Sequence, residues 1–393
     1  MTSSAAPLPT VTTSETPLLT TPLAAAHRAL GAKMVPFAGY LMPVQYEGIL
    51  AEHLHTRAGA GLFDVSHMGQ AILAGPDHAT TAAALEALVP ADILGLKPGA
   101  QRYTQLLDAH GGILDDLMVH RPHAGEETGD GQDGTLMLVV NAATKAADMA
   151  HIENHLPAGV TLVPVKDRAL LALQGPKAVD VLARLGADVA AWPFMTAGPA
   201  TVAGIAVHAS RSGYTGEDGF ELSVADDRVA DLWAALVADP DVKPIGLGAR
   251  DSLRLEAGLC LYGHDIDTTT TPVEAGLTWS IQKRRRQEGG FPGFHVIAEQ
   301  IANGAPRRRV GIRPEGRAPA REGAEILSED GLPIGTVTSG GFGPTVNGPV
   351  AMGYVAAAHA APGTRIGLLV RGKVLPAEVV PLPFVPARFY RGT

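Results

Sequence analysis

Residues 110–120 read HGGILDDLMVH, in which a Gly-Gly turn leads through two adjacent aspartates into an apolar, strand-like run. Acidic side chains are disfavoured in strands, and burying a carboxylate without a partner costs free energy. Because side chains alternate between the two faces of a strand, we expect Asp115 and Asp116 to point in opposite directions. At most one of them faces a given pocket. Taken alone, this segment is explained more simply by a turn followed by a strand than by a catalytic role.

The neighbouring segments extend the same pattern. Residues 103–107 are also strand-like, which predicts a hairpin around residues 108–112. Helical segments and strand-like segments then alternate, the helices at 77–89, 143–155, 176–186 and 226–238 and the strands at 136–141, 160–173 and 199–211. Several strand pairs read as hairpins, so we predict an α+β fold with antiparallel sheets rather than a doubly wound parallel sheet.

The C-terminal part has a different character. From about residue 305 the helical periodicity ends, and short strands are separated by Gly, Pro and Asp turns near 308–313, 324–328, 333–338, 350–355, 365–371 and 374–380. This spacing predicts a separate small all-β barrel or sandwich. The basic and Gly/Pro-rich residues 283–293 are interpreted as a linker, and residues 35–44 as a loop.

Composition restricts the class of protein. The chain has 393 residues, of which 46% are apolar and 18% charged, with a mean hydropathy of +0.12, as expected for a globular protein of two or three domains. Its net charge of −9 argues against nucleic acid as a partner. No apolar run approaches the roughly 20 residues of a membrane span. The single cysteine, Cys260, allows no internal disulfide, so we expect a reducing, cytoplasmic location.

Several chemical patterns compete with one another. Asp64, Ser66 and His67 are triad residue types, but they are adjacent in sequence and lack a nucleophile elbow. His151 and His155 are spaced for zinc on a helix, yet a solvent-facing helix explains them better. We therefore predict no metal site. The glycines of residues 129–134 match a dinucleotide fingerprint only formally, because they lie in a polar loop rather than between a strand and a helix.

Two basic clusters, residues 284–286 and 307–309, stand out on an acidic protein. They are either solvated surface or a docking patch for an acidic partner, and the sequence does not choose between these interpretations.

Two further segments carry candidate ligand groups. Residues 212–222 read SGYTGEDGFEL, and glycines of this kind can hold a tight loop that aims an acid at a ligand. A carboxylate suits the paired N–H donors of an amino-pyrimidine, although a plain acidic turn is an equal alternative. Residues 246–258 read GLGARDSLRLEAG and open a helix. There Arg250 either clamps a carboxylate ligand or forms salt bridges along the helix.

Together these segments resemble the aminomethyltransferase (T-protein) family of the glycine cleavage system, from residue 21 to residue 392. Each motif is weak alone, but their order and spacing are specific. The motifs are FDVSHM (63–68), GGILDDL (111–117), VNA (140–142), GYTGEDGFE (213–221), GLGARD (246–251) and GTVTSG (335–340).

The resemblance implies a function and a fold. Members of this family bind tetrahydrofolate in a central cavity among three domains arranged like a clover leaf. They take the aminomethyl group from the lipoyl arm of H-protein and release ammonia, 5,10-methylenetetrahydrofolate and dihydrolipoyl H-protein. The implied domains are a disordered tail at 1–20, a folate-binding region of two interleaved α+β domains at 21–300, and a C-terminal β-barrel at 301–393.

The resemblance also implies roles for individual residues. Asp116 takes the position of the catalytic acid at the folate N5/N10 edge, and its neighbour Asp115 is expected to tolerate substitution. The implied folate-binding residues are Glu221, which would accept the pterin N–H donors, and Arg250, Tyr214, Tyr103, Asn141 and Met68. Tyr390 and Arg391 are further candidates.

Two alternatives remain. One is a folate-dependent relative that processes methylamines, but such chains usually carry a flavin domain, and no dinucleotide motif stands here in the right context. The other is a non-catalytic folate-binding protein of iron–sulfur assembly, whose cysteine-containing motif has no cysteine counterpart in residues 283–295.

Overall fold

The computed structural model describes residues 17–124 and 133–392. Most of the predicted N-terminal tail and most of the polar insert at 123–134 therefore lie outside the described residues, as does most of the formal dinucleotide fingerprint.

The first half of the described chain alternates short helices with strands. Its elements are α1 (Ala24–Ala29), β1 (Lys33–Phe37), β2 (Tyr40–Gln45), α2 (Ile49–Ala58), β3 (Ala60–Asp64), β4 (Gly69–Ala74), α3 (His78–Glu86), β5 (Gln101–Leu107), β6 (Ile113–His120), β7 (Thr135–Val140), α4 (Lys145–Asn154), β8 (Thr161–Val165), β9 (Arg168–Gln174), α5 (Ala178–Arg184), β10 (Ala197–Val202) and β11 (Ile205–Ser210).

The second half passes from mixed structure to strands alone. Its elements are β12 (Gly219–Ala225), α6 (Val229–Val237), β13 (Val242–Pro244), α7 (Leu247–Glu256), α8 (Lys283–Glu288), α9 (Phe294–Asn303), β14 (Arg307–Pro314), β15 (Glu325–Leu327), β16 (Pro333–Gly343), β17 (Gly348–Ala356), β18 (Arg365–Val370) and β19 (Lys373–Val380).

Two sheets form the first part of the fold. One has five strands in the order β5-β6-β7-β4-β8, and the other has six in the order β10-β11-β12-β9-β3-β13. All pairs are antiparallel except β13 with β3. Strand β3 pairs with β9 although the whole five-stranded sheet lies between them in sequence. The two sheets are therefore interleaved along the chain.

Each sheet buries one face against helices. Leu85 of α3 packs with Leu73, Leu117 and Leu138 of the five-stranded sheet. On the six-stranded sheet, the side chains of α5 and α6 cover Leu171, Phe220 and Leu222. Burial of this apolar area, at about 25 cal/mol per Å², is the main force that holds each layer together.

The C-terminal strands close into a six-stranded barrel in the order β14-β17-β16-β15-β18-β19. The barrel is closed because β14 pairs with both β17 and β19. Closure leaves no free sheet edge. The structure thus confirms the predicted α+β fold with a C-terminal all-β barrel, and two sheets plus a barrel are consistent with a three-domain clover leaf.

Two local predictions are wrong. Residues 35–44 do not form a loop, because β1 and β2 pair as a hairpin across Ala38 and Gly39, which both have positive φ. Such a two-residue turn matches the twist of paired strands. Residues 283–293 are not simply a linker either, since they contain α8 and are followed directly by α9.

The basic clusters mostly have partners within the chain. Arg284 forms ion pairs with Glu86 and Asp92, and Arg285 is buried. Arg307 pairs with Glu274. Arg284, Arg285 and Arg307, half of the six arginines, are therefore paired with acids within the described chain, which weakens the docking-patch interpretation and gives these three a role in joining elements distant in sequence.

Candidate active site

The register of the five-stranded sheet brings three predicted residues to one end of neighbouring strands. Gly69 of β4 lies opposite Val140 of β7, and Val140 lies opposite Leu117 of β6. Met68, Asn141 and Asp116 each stand one residue from these positions, so they meet at the same end of the sheet. The sequence could not show this, because the pairing of β4 with β7 joins segments about 70 residues apart.

The two aspartates of β6 point to opposite faces, as predicted. Asp115 is fully buried on the face of Leu117 and Val119, which belong to the core. Asp116 is half-buried on the other face, together with Met118. Strand alternation thus separates the two acids, and the structure leaves Asp116 as the one that faces away from the core of its own domain.

Asp116 is held by two donors from neighbouring strands. The Tyr103 hydroxyl donates to Oδ2 over 2.9 Å, and Asn141 Nδ2 donates to Oδ1 over 2.7 Å. Burial, with a smaller contribution from the negative charge of Asp115, raises the pKa of Asp116 to about 7. A carboxyl group with a pKa near the working pH is suited both to accept and to release a proton.

Asp115 shares a hydrogen-bond partner with Asp116, and its tolerance of substitution stays a prediction. Its carboxylate accepts hydrogen bonds from the backbone and side-chain nitrogens of Asn141, at 3.2 and 2.8 Å, and from Thr144 Oγ1 at 2.8 Å. It therefore fixes the same asparagine that holds Asp116. Any effect of Asp115→Asn on Asp116 would therefore be transmitted through Asn141.

Trp279 is a site residue that sequence reasoning missed. Its ring stacks on that of Tyr103, with centroids 5.4 Å apart and planes 22° apart, while 62% of the residue remains exposed. The sequence carried no signal for this contact, because Trp279 lies far from Tyr103 along the chain and its exposure is seen only in the structure.

A second group of predicted residues meets at the end of the six-stranded sheet. The Arg250 guanidinium lies over the Tyr214 ring, 4.8 Å from its centroid, and the Tyr214 hydroxyl donates to the Cys260 carbonyl. The loop before β12 packs closely because Gly213 has no side chain, and a Cβ there would lie 1.9 Å from Gln174 Oε1.

Glu221 adds an acid to this group. Burial raises the pKa of Glu221, and the positive charge of Arg250 partly opposes that effect. Its carboxylate accepts only a long hydrogen bond of 3.4 Å from Ser212 Oγ among the hydrogen bonds of the described residues. Because a carboxylate offers about four acceptor positions, Glu221 keeps the capacity to accept donors from a ligand.

A cavity that is partly open to solvent lies between the two sheets. Of the seven predicted site residues, Glu221 alone lines it. The other lining residues include Met118, on the same face of β6 as Asp116, and also Val139 and Gln70. The negative charge of Asp116 and the positive charge of Arg250 both act on Tyr214. The two groups therefore lie close enough to interact electrostatically, while the other six predicted site residues lie outside the lining of this cavity.

The remaining predicted residues lie at the edges of the site. Met68 packs on the small apolar cluster that contains Phe63 and Ala249. The Tyr390 ring lies under the Arg211 guanidinium at 4.3 Å, and Arg391 lies over Phe194. The C-terminal segment thus packs on the six-stranded-sheet domain.

Neither a metal centre nor a membrane span is found in the described ranges. No group of three or more His, Cys, Asp or Glu residues among residues 17–124 and 133–392 is arranged to hold a metal ion. None of the helices in these ranges has the length and apolar character needed to cross a membrane.

Comparison with known proteins gives consistent matches over almost the whole chain. Residues 23–285 match the family described as the GCVT N-terminal domain, and residues 307–386 match the Glycine cleavage T-protein C-terminal barrel domain. A mitochondrial aminomethyltransferase of Gallus gallus is 46% identical over 378 residues, which cover 94% of this chain and 93% of that protein. One from Mesembryanthemum crystallinum is 44% identical over 388 residues, covering 96% and 92%.

A solved structure agrees with these matches. The crystal structure of glycine cleavage system aminomethyltransferase T from Bartonella henselae has 43% sequence identity and a TM-score of 0.88, and the match covers 95% of this chain and 99% of that one.

Proposed function

Because the chain belongs to the aminomethyltransferase family of the glycine cleavage system, we propose that it transfers the methylene carbon of an aminomethyl group to tetrahydrofolate. The donor is the lipoyl arm of H-protein, and the products are ammonia, 5,10-methylenetetrahydrofolate and dihydrolipoyl H-protein. The observation that carries this proposal is the half-buried Asp116, whose two carboxylate oxygens accept hydrogen bonds from Tyr103 and Asn141.

The side chains of the two groups suit a folate. Glu221 is half-buried with unused acceptor capacity, which matches the paired N–H donors of an amino-pyrimidine ring. Arg250 provides a positive charge near it. The Tyr214 ring and the exposed ring of Trp279 offer apolar faces to the flat parts of such a ligand.

Two secondary amines of tetrahydrofolate form bonds to the methylene carbon, and each loses its proton. One of these protons leaves with ammonia, and the other ends on the lipoyl thiol. Asp116 would take the first of these protons and pass it to the departing amine, a transfer for which a pKa of about 7 is well placed. In its ionised form the same carboxylate stabilises positive charge that develops on the attacking nitrogen. Tyr103 and Asn141 keep its two oxygens in a fixed position.

The direct test is ammonia release from lipoylated, aminomethylated H-protein. The proposal predicts that the purified protein releases ammonia at a rate that depends on both tetrahydrofolate and the loaded H-protein. Formation of 5,10-methylenetetrahydrofolate from the one-carbon unit that a separate oxidase produces from dimethylglycine or sarcosine, with none from loaded H-protein, would favour the methylamine-processing alternative. Tight folate binding without turnover on either donor would favour the non-catalytic alternative.

Three further properties belong to the same proposal. No metal is needed for the reaction, so treatment with a chelator should leave the rate unchanged. The proposed partners are H-protein and tetrahydrofolate, and neither nucleic acid nor a membrane is among them. The cytoplasmic location stays a prediction from the single cysteine. The eukaryotic relatives are named as mitochondrial. Fractionation of the source cells tests the location.

A further inference from the structure

The loop of residues 213–218 positions two of the proposed folate-binding residues. It contains Tyr214, and it leads directly into β12, which carries Glu221. Gly216 in this loop has a φ of +77°, a conformation that favours glycine, and a Cβ there would lie 2.8 Å from that of Ala257. The loop therefore packs closely against the end of α7, and its conformation depends on the groups that hold it in place.

The chain after the barrel contacts this loop directly. Beyond β19 it runs back to the six-stranded-sheet domain, and we call residues 384–392 the C-terminal strap. The Arg388 amide of the strap donates to the Gly216 carbonyl over 2.8 Å. The ring of Phe389 then stacks on that of Phe194, with centroids 4.0 Å apart and planes 7° apart. The strap therefore crosses the loop at Gly216 and is anchored beyond it.

The Arg388 side chain makes a second contact with the loop. Its Nη2 donates to Glu217 Oε1 over 2.6 Å and to the Arg57 carbonyl over 2.7 Å. The Glu217 side chain is 1% exposed, whereas half of the Arg388 side chain is exposed. Arg388 thus binds two successive residues of the loop, Gly216 through its backbone and Glu217 through its guanidinium.

Glu217 does not depend on Arg388 to compensate its charge. Arg57 of α2 donates to the same Oε1 over 2.8 Å and to the Thr215 carbonyl over 2.7 Å. The other terminal nitrogen of Arg57 pairs with Glu256 at 3.0 Å. Because the loss of Arg388 would leave Glu217 in a buried ion pair, the fold should tolerate that loss. What would disappear is the side-chain link between the loop and the strap.

We propose that Arg388 is a positioning residue for folate binding, which clamps the 213–218 loop to the C-terminal strap and so keeps Tyr214 and Glu221 in the arrangement that binds tetrahydrofolate. The role in binding rests on the proposed function, whereas the clamp itself does not depend on it. Arg388 acts through the loop rather than on the ligand. Release of the loop lowers the fraction of the protein that can bind, and the apparent dissociation constant rises in inverse proportion to that fraction.

Calorimetry with tetrahydrofolate tests the role in binding. Arg388→Ala should raise the dissociation constant roughly 3- to 10-fold, because the released loop spends much of its time in other conformations. Arg388→Lys should recover part of this loss, since a single nitrogen makes both side-chain contacts and an ammonium group can replace it. Arg365→Ala is the matched control. It removes an equally exposed ion pair with Glu315 on the barrel and should leave the affinity unchanged.

Turnover separates positioning from a general loss of structure. Asp116 and its two donors are held within the five-stranded-sheet domain, so Arg388→Ala should raise the KM for tetrahydrofolate while kcat stays within about twofold of wild type. The melting temperature should stay within about 2 °C of wild type, because the lost ion pair is half exposed. A fall in kcat at constant KM, or an equal loss of affinity in Arg365→Ala, would overturn the positioning role.

Hydrogen exchange tests the clamp without any ligand. In Arg388→Ala, peptides that cover residues 213–218 and 384–392 should exchange faster than in wild type, whereas Arg365→Ala should leave them unchanged. Equal exchange in Arg388→Ala and wild type would overturn the clamp, and faster exchange with unchanged folate affinity would overturn its role in binding. A wild-type protein that does not bind tetrahydrofolate would overturn the proposed function together with the folate part of this inference, while the exchange rates would still decide the clamp.

Discussion

Replacing Glu221 by glutamine tests the folate-binding half of the site. The carboxylate can accept two N–H donors side by side, whereas glutamine offers one acceptor and turns its own N–H donor toward the second. A hydrogen bond to a charged group contributes about 1.5–3 kcal/mol. Loss of one such bond should weaken tetrahydrofolate binding by roughly 10- to 140-fold, at about 1.4 kcal/mol per tenfold.

The same substitution should not weaken the fold. Burial raises the pKa of Glu221, which means that the folded protein resists the charged form. A neutral glutamine of the same shape avoids that cost, so the melting temperature without ligand should stay the same or rise. Affinity is measured by calorimetry and stability by thermal unfolding, with the exposed Glu153→Gln as the control. Unchanged affinity for tetrahydrofolate would refute the assigned role, and so would a loss of affinity that merely follows a loss of stability.

The remaining predictions concern catalysis and stability. Tyr103→Phe removes the hydroxyl that donates to Asp116 over 2.9 Å, so kcat should fall roughly tenfold or more. Because this hydrogen bond lowers the pKa of Asp116, the acid limb of the pH profile should move to higher pH. An acid limb that does not move would contradict the importance of the contact. Arg57→Ala breaks two buried ion pairs and should lower the free energy of unfolding by about 3–5 kcal/mol in chemical denaturation. The exposed ion pair of Lys243 with Glu47 gives the comparison, since Lys243→Ala should cost only about 0–1 kcal/mol. Equal losses in these two variants would contradict the importance of burial.

The parts of this fold that depend on local pattern were predictable. The strands of the barrel and the hairpin of β5 and β6 follow from alternating apolar residues bounded by turn residues. The opposite orientation of Asp115 and Asp116 follows from strand geometry alone. Which of the two faces the cavity did not follow from the residues around them, because neither face of the strand is polar enough to decide.

The parts of the fold that depend on long-range contacts were not predictable from the sequence. The hairpin of β1 and β2 was missed because Ala38 is an unusual residue at a position of positive φ, where Gly or Asn is the ordinary signal. The arginines of α8 were read as a surface cluster, whereas the Glu86 partner of Arg284 is 198 residues away in sequence. No local rule reports such a pairing.

The most direct test of the account is the pH dependence of kcat/KM for folate-dependent ammonia release, compared between wild type and Asp116→Asn. Because Asp116 acts in its ionised form and its pKa is raised to about 7, the wild-type rate should rise through about pH 7 and then level off. Asp116→Asn should lose roughly 10²- to 10⁴-fold in rate and lose this limb, while the exposed Asp180→Asn keeps both. A limb near pH 7 that persists in Asp116→Asn, at a rate close to wild type, would contradict the account.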